Sequence, residues 1–315
     1  MALDTTTSAR PATATDRYRE AERALWAQYG LAPTERYVDI PEPSVRLRVV
    51  EVGAGEPVVF LPGTLVAGPA WGALVRELPD RRCLLVDPPG VGLSAPLAYP
   101  AGGYGVTVTA IMRGLFDGLG LERATVIGQS SGAVWALRAA LAMPSRIPRV
   151  VLLGGGPVVD ELEVPGFIAR LASPVGALIV RLPLSPDRAR SIMRRSGHGA
   201  TLDAGGVPDD LPNWMTALAR DTRSMHAERA MVRTLVRRGG WKPGLTFRDR
   251  ELAAIEPPVS WVVGETDPVG SIDLWRRTAT RMPRAEVTMV PAAGHLPWLD
   301  DPATVAGVIR SATDH

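Results

Sequence analysis

The sequence predicts an α/β fold with a mostly parallel, doubly wound sheet and a helical insertion. Three observations support this prediction. Short apolar runs alternate with helix-like stretches from residue 58 to residue 155. The same alternation resumes at residue 259 and continues to residue 311. Between these two parts the alternation stops and helical spacing dominates. Alternating strands and helices favour parallel strands whose connecting helices cover both faces of the sheet.

These patterns divide the chain into parts. Residues 1–16 are rich in Thr, Ala and Ser and lack an apolar stretch, so we expect a disordered leader and not a secretory signal. Residues 17–155 and 247–315 are expected to form the α/β core. Residues 156–246, called the insert below, are expected to form a separate helical cap.

The first elements after the leader are a helix and two antiparallel strands. Residues 18–28 are predicted to be helical, because apolar residues such as Ala24 and Leu25 lie among charged neighbours at helical spacing. The strands are predicted over residues 36–40 and 45–52, where β-branched residues are frequent.

The remaining core elements alternate in type. Each strand is a short apolar run, and each helix has apolar residues at helical spacing. The strands are predicted over residues 58–61, 83–86, 124–127, 150–153, 259–263 and 286–290. The helices are predicted from residue 71 and over residues 106–119, 133–142, 272–281 and 302–311.

Composition agrees with a large folded core and excludes some functions. The chain has 315 residues, of which 46% are hydrophobic, enough to bury a sizeable core. A net charge of +2, from 35 basic and 33 acidic residues, gives no indication of nucleic-acid binding. No apolar run approaches a membrane span, so a cytoplasmic protein is expected. Cys83 is the single cysteine, which excludes an internal disulfide and predicts a buried thiol.

The most informative motif is Gly-Gln-Ser-Ser-Gly at residues 128–132. Ser130 has glycine at both second neighbours and stands between a predicted strand and a predicted helix. This setting is typical of a nucleophile elbow, in which the turn holds the serine in an unfavourable backbone conformation. The glycines let the adjacent strands and helix approach closely. Ser130 is therefore the predicted nucleophile.

A serine nucleophile needs a base, and the chain has four histidines. His315 is terminal and His198 lies beside two glycines, so both are expected to be solvated. His226 lies in a charge-rich helical stretch and is expected at a surface. His295 follows a predicted strand and a glycine-bearing turn, a position from which it can reach over the sheet edge. His295 is the predicted general base.

The carboxylate that orients the histidine should follow a core strand between the serine and the histidine. Asp267 meets this condition, because it lies in the loop after the strand at residues 259–263. Glu265 in the same loop is the nearest rival, and Asp160 or Glu161 after the strand at residues 150–153 is a second alternative.

Taken together, these motifs resemble the serine-dependent α/β-hydrolase superfamily over residues 37–309. The runs Phe-Leu-Pro-Gly-Thr at 60–64 and Asp-Pro-Pro-Gly-Val-Gly-Leu-Ser at 87–94 resemble its oxyanion loop and a further turn. His-Leu-Pro at 295–297 resembles its histidine loop. The resemblance implies an α/β-hydrolase fold with no metal or organic cofactor.

The resemblance also implies an oxyanion hole made by the backbone N–H groups of Thr64 and Ser131. One departure stands out, because the family usually has histidine where this chain has Pro62. Proline fixes φ and carries no N–H, so the loop must take its shape without an imidazole.

Because the insert falls between two strands of the core, it should lie over the active-site end of the sheet. Trp214 and Met225 are the predicted substrate-binding residues on its inner face, with inter-helix packing as the alternative for each. Methionine-rich lining would suit an apolar substrate. The insert is also rich in arginine, and Arg220 or Arg229 could bind a carboxylate-bearing substrate.

The sequence therefore predicts a serine hydrolase that cleaves a small to medium apolar ester or related acyl compound. The expected partner is a small-molecule substrate, and neither nucleic acid nor a membrane is expected. The oligomeric state is not predicted. A carbon–carbon bond hydrolase or a cofactor-free perhydrolase with the same triad is one alternative, and a non-catalytic binding module of the same fold is another.

Overall fold

A computed structural model describes residues 12–100, 103–156, 159–237, 240–242 and 245–314. The expected disordered leader at 1–16 falls mostly on residues 1–11, which lie outside the described ranges, as does His315. Its last residues are not a leader, because the first helix, α1, spans Ala14–Gln28. This helix starts four residues before the prediction because Thr13 and Asp16 form a capping box around its first turn.

The central element is an eight-stranded sheet. Each strand overlaps its predicted range, and two have the bounds that the sequence predicts. In chain order the strands are β1 (Thr34–Ile40), β2 (Val45–Val52), β3 (Glu56–Leu61), β4 (Arg81–Val86), β5 (Thr125–Gln129) and β6 (Val150–Leu153), followed after the insert by β9 (Val259–Gly264) and β10 (Ala285–Val290).

The sheet has the order β1-β2-β4-β3-β5-β6-β9-β10. The pairs β1–β2 and β2–β4 are antiparallel, and every later pair is parallel. The carboxyl ends of β3, β5, β6, β9 and β10 therefore meet at one edge, where ligands bind in sheets of this kind. The predicted α/β class is confirmed.

The core helices connect these strands and cover the two faces of the sheet. They are α2 (Gly72–Val75), α3 (Tyr104–Leu119), α4 (Ser131–Ala142), α11 (Asp249–Ala253), α12 (Ile272–Ala279), α13 (Pro297–Asp300) and α14 (Pro302–Thr313). One cluster of buried apolar residues lies on each face, and Cys83 is buried in one of them. In the ranges that the structure describes, no helix is long and apolar enough to cross a bilayer.

The insert is mostly helical. Its helices are α5 (Gly166–Ala172), α6 (Gly176–Ile179), α7 (Pro186–Met193), α8 (Gly199–Asp203), α9 (Asp210–Asp221) and α10 (Ser224–Leu235). A π-helical turn at Arg194–His198 joins α7 to α8. The insert also contains a short antiparallel pair that its helical spacing does not predict, β7 (Val236–Arg237) with β8 (Gly240–Trp241).

The Asp-x-x-Gly turn after β4 is held by a buried ionic cluster around Arg48. The guanidinium donates to both carboxylate oxygens of Glu22, at 2.8 and 2.6 Å, and to Glu35 at 2.6 Å. It also lies 3.3 Å from the carboxylate of Asp87. Burial raises the pKa of Asp87 to about 6, even though the Arg48 charge acts in the opposite direction. The cluster ties α1 to the start of this turn.

Replacing Arg48 by methionine is expected to lower the free energy of unfolding by about 3–5 kcal/mol, because Glu22 and Asp87 would remain buried without their cation. Urea unfolding followed by circular dichroism measures the change. Arg46→Met on the same strand is the control, since Arg46 is exposed and its ion pair with Asp39 is 3.8 Å long. Equal loss of stability in the two variants would contradict a special role for the cluster.

Candidate active site

Ser130 occupies the sharp turn between β5 and α4. Its backbone has φ 51° and ψ −116°, a conformation that residues with a side chain rarely adopt. Its N–H donates to the carbonyl oxygen of Leu153 at the end of β6, at 3.2 Å. The strained serine is thus fixed at the carboxyl edge of the sheet, as expected of an elbow.

The two glycines of the motif are required by close backbone approach. A Cβ atom at Gly128 would lie 2.6 Å from the carbonyl oxygen of Gly132 and 2.8 Å from the Cα of Ala133. A Cβ atom at Gly132 would overlap the carbonyl oxygen of Leu61 on the neighbouring strand. The start of α4 therefore packs directly against β3 and β5 only because both positions lack a side chain.

Asp267 and His295 form a hydrogen-bonded pair. Nδ1 of His295 lies 2.9 Å from both carboxylate oxygens of Asp267, whose side chain is 1% exposed. The carboxylate also accepts from the N–H of Gly155 at 2.7 Å and from that of Val269 at 2.8 Å. Because an ionised carboxylate only accepts hydrogen bonds, the proton of the neutral imidazole resides on Nδ1. Nε2 is left with its lone pair.

Ser130 and the pair lie on either side of the end of β6. Ser130 is bonded to Leu153, and a Cβ atom on the next residue, Gly154, would lie 3.3 Å from Nδ1 of His295 and 3.4 Å from Asp267 Oδ2. Among the described residues no hydrogen bond joins Ser130 to His295. Such bonds are often long in the absence of substrate. The structure thus pairs Asp267 with His295 and places Ser130 at the same edge of the sheet.

The rival carboxylates make other contacts. Glu265 is exposed and accepts a hydrogen bond from the N–H of Ala292 at 2.8 Å. Asp160 is exposed as well, and Glu161 pairs with Arg281. Of the candidate acids, Asp267 is the one in contact with His295.

The loop after β3 holds Thr64 between two braced neighbours. The N–H of Gly63 donates to Oε1 of Gln129, in the elbow, at 2.8 Å. The N–H of Leu65, which has φ 61°, donates to Oε1 of Glu228 in α10 at 3.1 Å. Thr64 and Ser131 both line the cleft above Ser130. Side-chain oxygens of Gln129 and Glu228 therefore hold this loop, in which Pro62 stands where a histidine was expected.

His198 does not have the solvated position expected of it. It is 1% exposed, with Nδ1 2.7 Å from Oδ2 of Asp300, and its Nε2 accepts from the N–H of Leu296 at 3.3 Å. The preceding turn contributes too, because the carbonyl oxygen of Ser196 accepts from the N–H of His295 at 2.8 Å. Burial alone would raise the pKa of Asp300, but its hydrogen bond to His198 holds it below the usual range. The π-helical turn of the insert thus anchors the histidine loop.

Two neighbouring chambers share Tyr104 and Ser131 as lining residues. The first chamber is mainly apolar and lies over Ser130. Its other lining residues are Thr64, Ser130, Val134, Gly156, Leu162, Pro165, Phe167, Ile168, Val232, Leu235, Trp241, Leu245 and Val269. The second chamber lies beside the Gly63 loop. Its other lining residues are Pro62, Gly63, Pro88, Pro89, Val91, Tyr99, Trp135, Ala227, Glu228 and Met231.

The predicted substrate-binding residues Trp214 and Met225 line neither chamber. Trp214 is buried in the cluster that contains Tyr18 and Trp26, because α9 packs against α1. Met225 packs against a small cluster within the insert that includes Val232. For both residues the packing alternative is correct, and other residues of the insert form the cleft wall.

Neither of the proposed carboxylate-binding arginines reaches the cleft lining. Arg220 pairs with Asp221, at 2.5 Å, and Arg229 donates to the carbonyl oxygen of Ser173 at 3.3 Å. Within the described ranges, no group of three or more His, Cys, Asp or Glu side chains is placed to hold a metal ion.

Comparison with known proteins points to one family. The sequence model of the alpha/beta hydrolase family matches residues 58–308. A 2-hydroxy-6-oxononadienedioate/2-hydroxy-6-oxononatrienedioate hydrolase of Cupriavidus pinatubonensis is 27% identical over 273 residues, 84% of this chain and 90% of that protein. An uncharacterised protein of Mycobacterium tuberculosis is 27% identical over 291 residues, 88% of this chain and 83% of that protein.

Solved structures share the fold at low identity. A carboxylesterase of Bacillus subtilis superimposes with a TM-score of 0.73 at 20% identity, covering 95% of this chain and 97% of the other. A 2-hydroxy-6-oxo-6-phenylhexa-2,4-dienoate hydrolase of Rhodococcus superimposes with a TM-score of 0.72 at 17% identity, covering 90% and 100%. A carboxylesterase and a 2-hydroxy-6-oxo-6-phenylhexa-2,4-dienoate hydrolase are thus both similar to this chain in fold.

Proposed function

This chain belongs to the alpha/beta hydrolase family, and we propose that it is a serine hydrolase of small to medium apolar esters. Ser130 attacks the ester carbonyl carbon while His295 Nε2 takes the hydroxyl proton, which then passes to the leaving alcohol. Water, activated by the same histidine, hydrolyses the acyl-enzyme and regenerates the serine. Asp267 keeps the imidazole in the required tautomer.

The hydrogen bond between Asp267 and His295 carries this proposal. An imidazole whose Nδ1–H is directed at a buried carboxylate presents Nε2 as a base when Nε2 is free. No hydrogen bond of His295 Nε2 is found among the described residues, whereas Nε2 of His198, which pairs with Asp300 in the same way, already accepts from the N–H of Leu296. The strained backbone of Ser130 supports the same reading, since such strain is concentrated at functional sites. In the tetrahedral intermediate, the N–H groups of Thr64 and Ser131 donate to the oxygen as it becomes negative.

The lining of the first chamber favours an apolar acyl or alcohol group. Apart from the hydroxyls of Thr64, Tyr104, Ser130 and Ser131, the described side chains in that lining are apolar, and none is a lysine or an arginine. Two of the hydrolases named above act, by their names, on compounds with one or two carboxylates. A carbon–carbon bond hydrolase is therefore the second candidate, supported by those relatives. The absence of lysine and arginine among the described lining residues favours the ester.

The first test combines an active-site probe with a substrate panel. We expect a fluorophosphonate to label the purified protein and p-nitrophenyl esters to be hydrolysed, with short and medium acyl chains preferred. A vinylogous diketone should react more slowly than the best ester. Faster cleavage of the diketone would favour the second candidate. Absence of both labelling and turnover would contradict serine hydrolysis of either kind.

A further inference from the structure

Glu228 is a buried carboxyl group that the mechanism above does not use. It projects from α10 into the second chamber and is 3% exposed. Its Oε1 accepts from the N–H of Leu65, while its Oε2 is buried and has no hydrogen-bond partner among the described residues. A buried oxygen without a partner is costly, and this one belongs to a side chain that lines a chamber, where a donor on a ligand could reach it.

Two hydrogen bonds fix the position of Glu228, one made by its helix and one by its own carboxyl group. The hydroxyl of Ser224, one turn earlier in α10, accepts from the N–H of Gly92 at 3.0 Å. The Leu65 bond then ties the carboxyl group itself to the oxyanion loop. Ser131, the neighbour of Ser130 in the chain, lines both chambers, so the second chamber lies next to the one over Ser130.

The second chamber offers few other polar groups. Apart from Ser131, the titratable or polar side chains in its described lining are Glu228, Tyr99 and Tyr104, and Tyr104 accepts from the indole N–H of Trp135 at 2.9 Å. Pro62, Pro88, Pro89 and Val91 supply apolar walls. A hydroxyl donor on an otherwise apolar ligand would match this lining.

We infer that Glu228 Oε2 accepts a hydrogen bond from a hydroxyl group of the substrate, so that the protein selects esters hydroxylated on the part that enters the second chamber. This inference rests on the proposed ester hydrolysis. Glu228 would then determine specificity whether the acyl or the alcohol part of the ester occupies the second chamber.

The selection should depend on pH. Burial raises the pKa of Glu228 to about 7, although the Leu65 N–H acts to lower it. Burial also raises the pKa of Tyr99 and of Tyr104 well above their usual value, so both stay neutral near pH 7. Above pH 7 the ionised carboxylate accepts from a hydroxyl but gains nothing from an ether. Below pH 7 the protonated carboxyl can donate to either.

The test compares matched ester pairs at pH 6 and pH 8.5. In the first pair the hydroxyl or methoxy group is on the alcohol part: 2-hydroxyethyl butyrate is compared with 2-methoxyethyl butyrate. In the second pair it is on the acyl part: ethyl 3-hydroxybutyrate is compared with ethyl 3-methoxybutyrate. In one pair we expect the kcat/KM ratio to favour the hydroxyl member by about tenfold at pH 8.5, as for a hydrogen bond to a charged group, and to approach one at pH 6.

Glu228→Gln should hold the ratio near one at both pH values, because its amide presents a donor in place of Oε2. Glu122→Gln, at an exposed position of the core, is the matched control and should keep the wild-type response. Since ratios are compared between variants, the intrinsic reactivity of each ester cancels. Circular dichroism checks that each variant is folded.

The outcomes separate this inference from the proposed function. Wild-type protein that hydrolyses both members of each pair with equal preference at both pH values overturns the role of Glu228 and leaves ester hydrolysis intact. A preference that survives in Glu228→Gln overturns it as well. Failure to hydrolyse any ester, with no labelling of Ser130, overturns the proposed function and this inference with it.

Discussion

Replacing Ser130 by alanine is expected to lower kcat for p-nitrophenyl butyrate by about a millionfold, as removal of a triad nucleophile can. The strained backbone of Ser130 lies at the carboxyl edge of the sheet, and the backbone N–H of this residue donates to the carbonyl oxygen of Leu153. Alanine keeps the backbone and its hydrogen bond, so the loss falls on the chemistry and not on the fold. Steady-state kinetics at matched protein concentrations measures it.

Ser131→Ala is the matched control for this variant. Ser131 also lines the cleft, but its proposed contribution is its backbone N–H, which alanine retains. This variant should keep substantial activity and full labelling by a fluorophosphonate, with the mass increase on the peptide that contains Ser130. Labelling of Ser130→Ala, or loss of labelling in Ser131→Ala, would contradict the assignment of Ser130 as the nucleophile.

The positions of Ser130, Asp267 and His295 could be predicted because their signals are local. Gly128 and Gly132 flank Ser130 within five residues, and each is required by backbone contacts that the strand–turn–helix pattern implies. Asp267 and His295 each follow an apolar strand, and parallel strands bring their carboxyl ends to one edge. Chain order and periodicity were therefore enough to place all three at that edge.

The insert could not be predicted in the same way, because its contacts are distant in sequence. Trp214 faces α1 and not the cleft, and nothing in the spacing of α9 says which neighbour its apolar side will meet. His198 is buried because its partner, Asp300, lies 102 residues away. Helical periodicity shows that a helix has an apolar side, but only tertiary packing decides what covers it.

The hydrogen bonds that hold the loop after β3 also could not be predicted from the sequence. The sequence shows that Pro62 removes an N–H and that the family's imidazole is missing. It gives no sign that Gln129 and Glu228 accept from Gly63 and Leu65, since glutamine in an elbow and glutamate in a charged helix are ordinary residues. The replacement of histidine by Pro62 is visible in the sequence. The hydrogen bond that compensates for it joins Leu65 to Glu228, 163 positions away.

Asp267→Asn should lower kcat by about 10⁴-fold, because an amide directed at Nδ1 favours the wrong imidazole tautomer. In the wild-type protein the carboxylate accepts from Nδ1 and from the N–H groups of Gly155 and Val269. An asparagine has one carbonyl oxygen for these donors, and its NH₂ group can satisfy Nδ1 only when Nδ1 is unprotonated. The proton then moves to Nε2, where the base must be free. The kcat of p-nitrophenyl butyrate hydrolysis measures the effect.

Glu265→Gln and Asp160→Asn are the controls for Asp267→Asn. Both side chains are exposed, and Glu265 contacts the backbone of Ala292 instead of the imidazole. We expect near-normal turnover in both. Thermal unfolding separates a catalytic loss from a structural one, because a variant that only weakens the loop should lose stability in parallel with activity. Near-normal turnover in Asp267→Asn, with a collapse in either control, would move the orienting carboxylate to that residue. The 2.9 Å contact with His295 would then serve the fold alone.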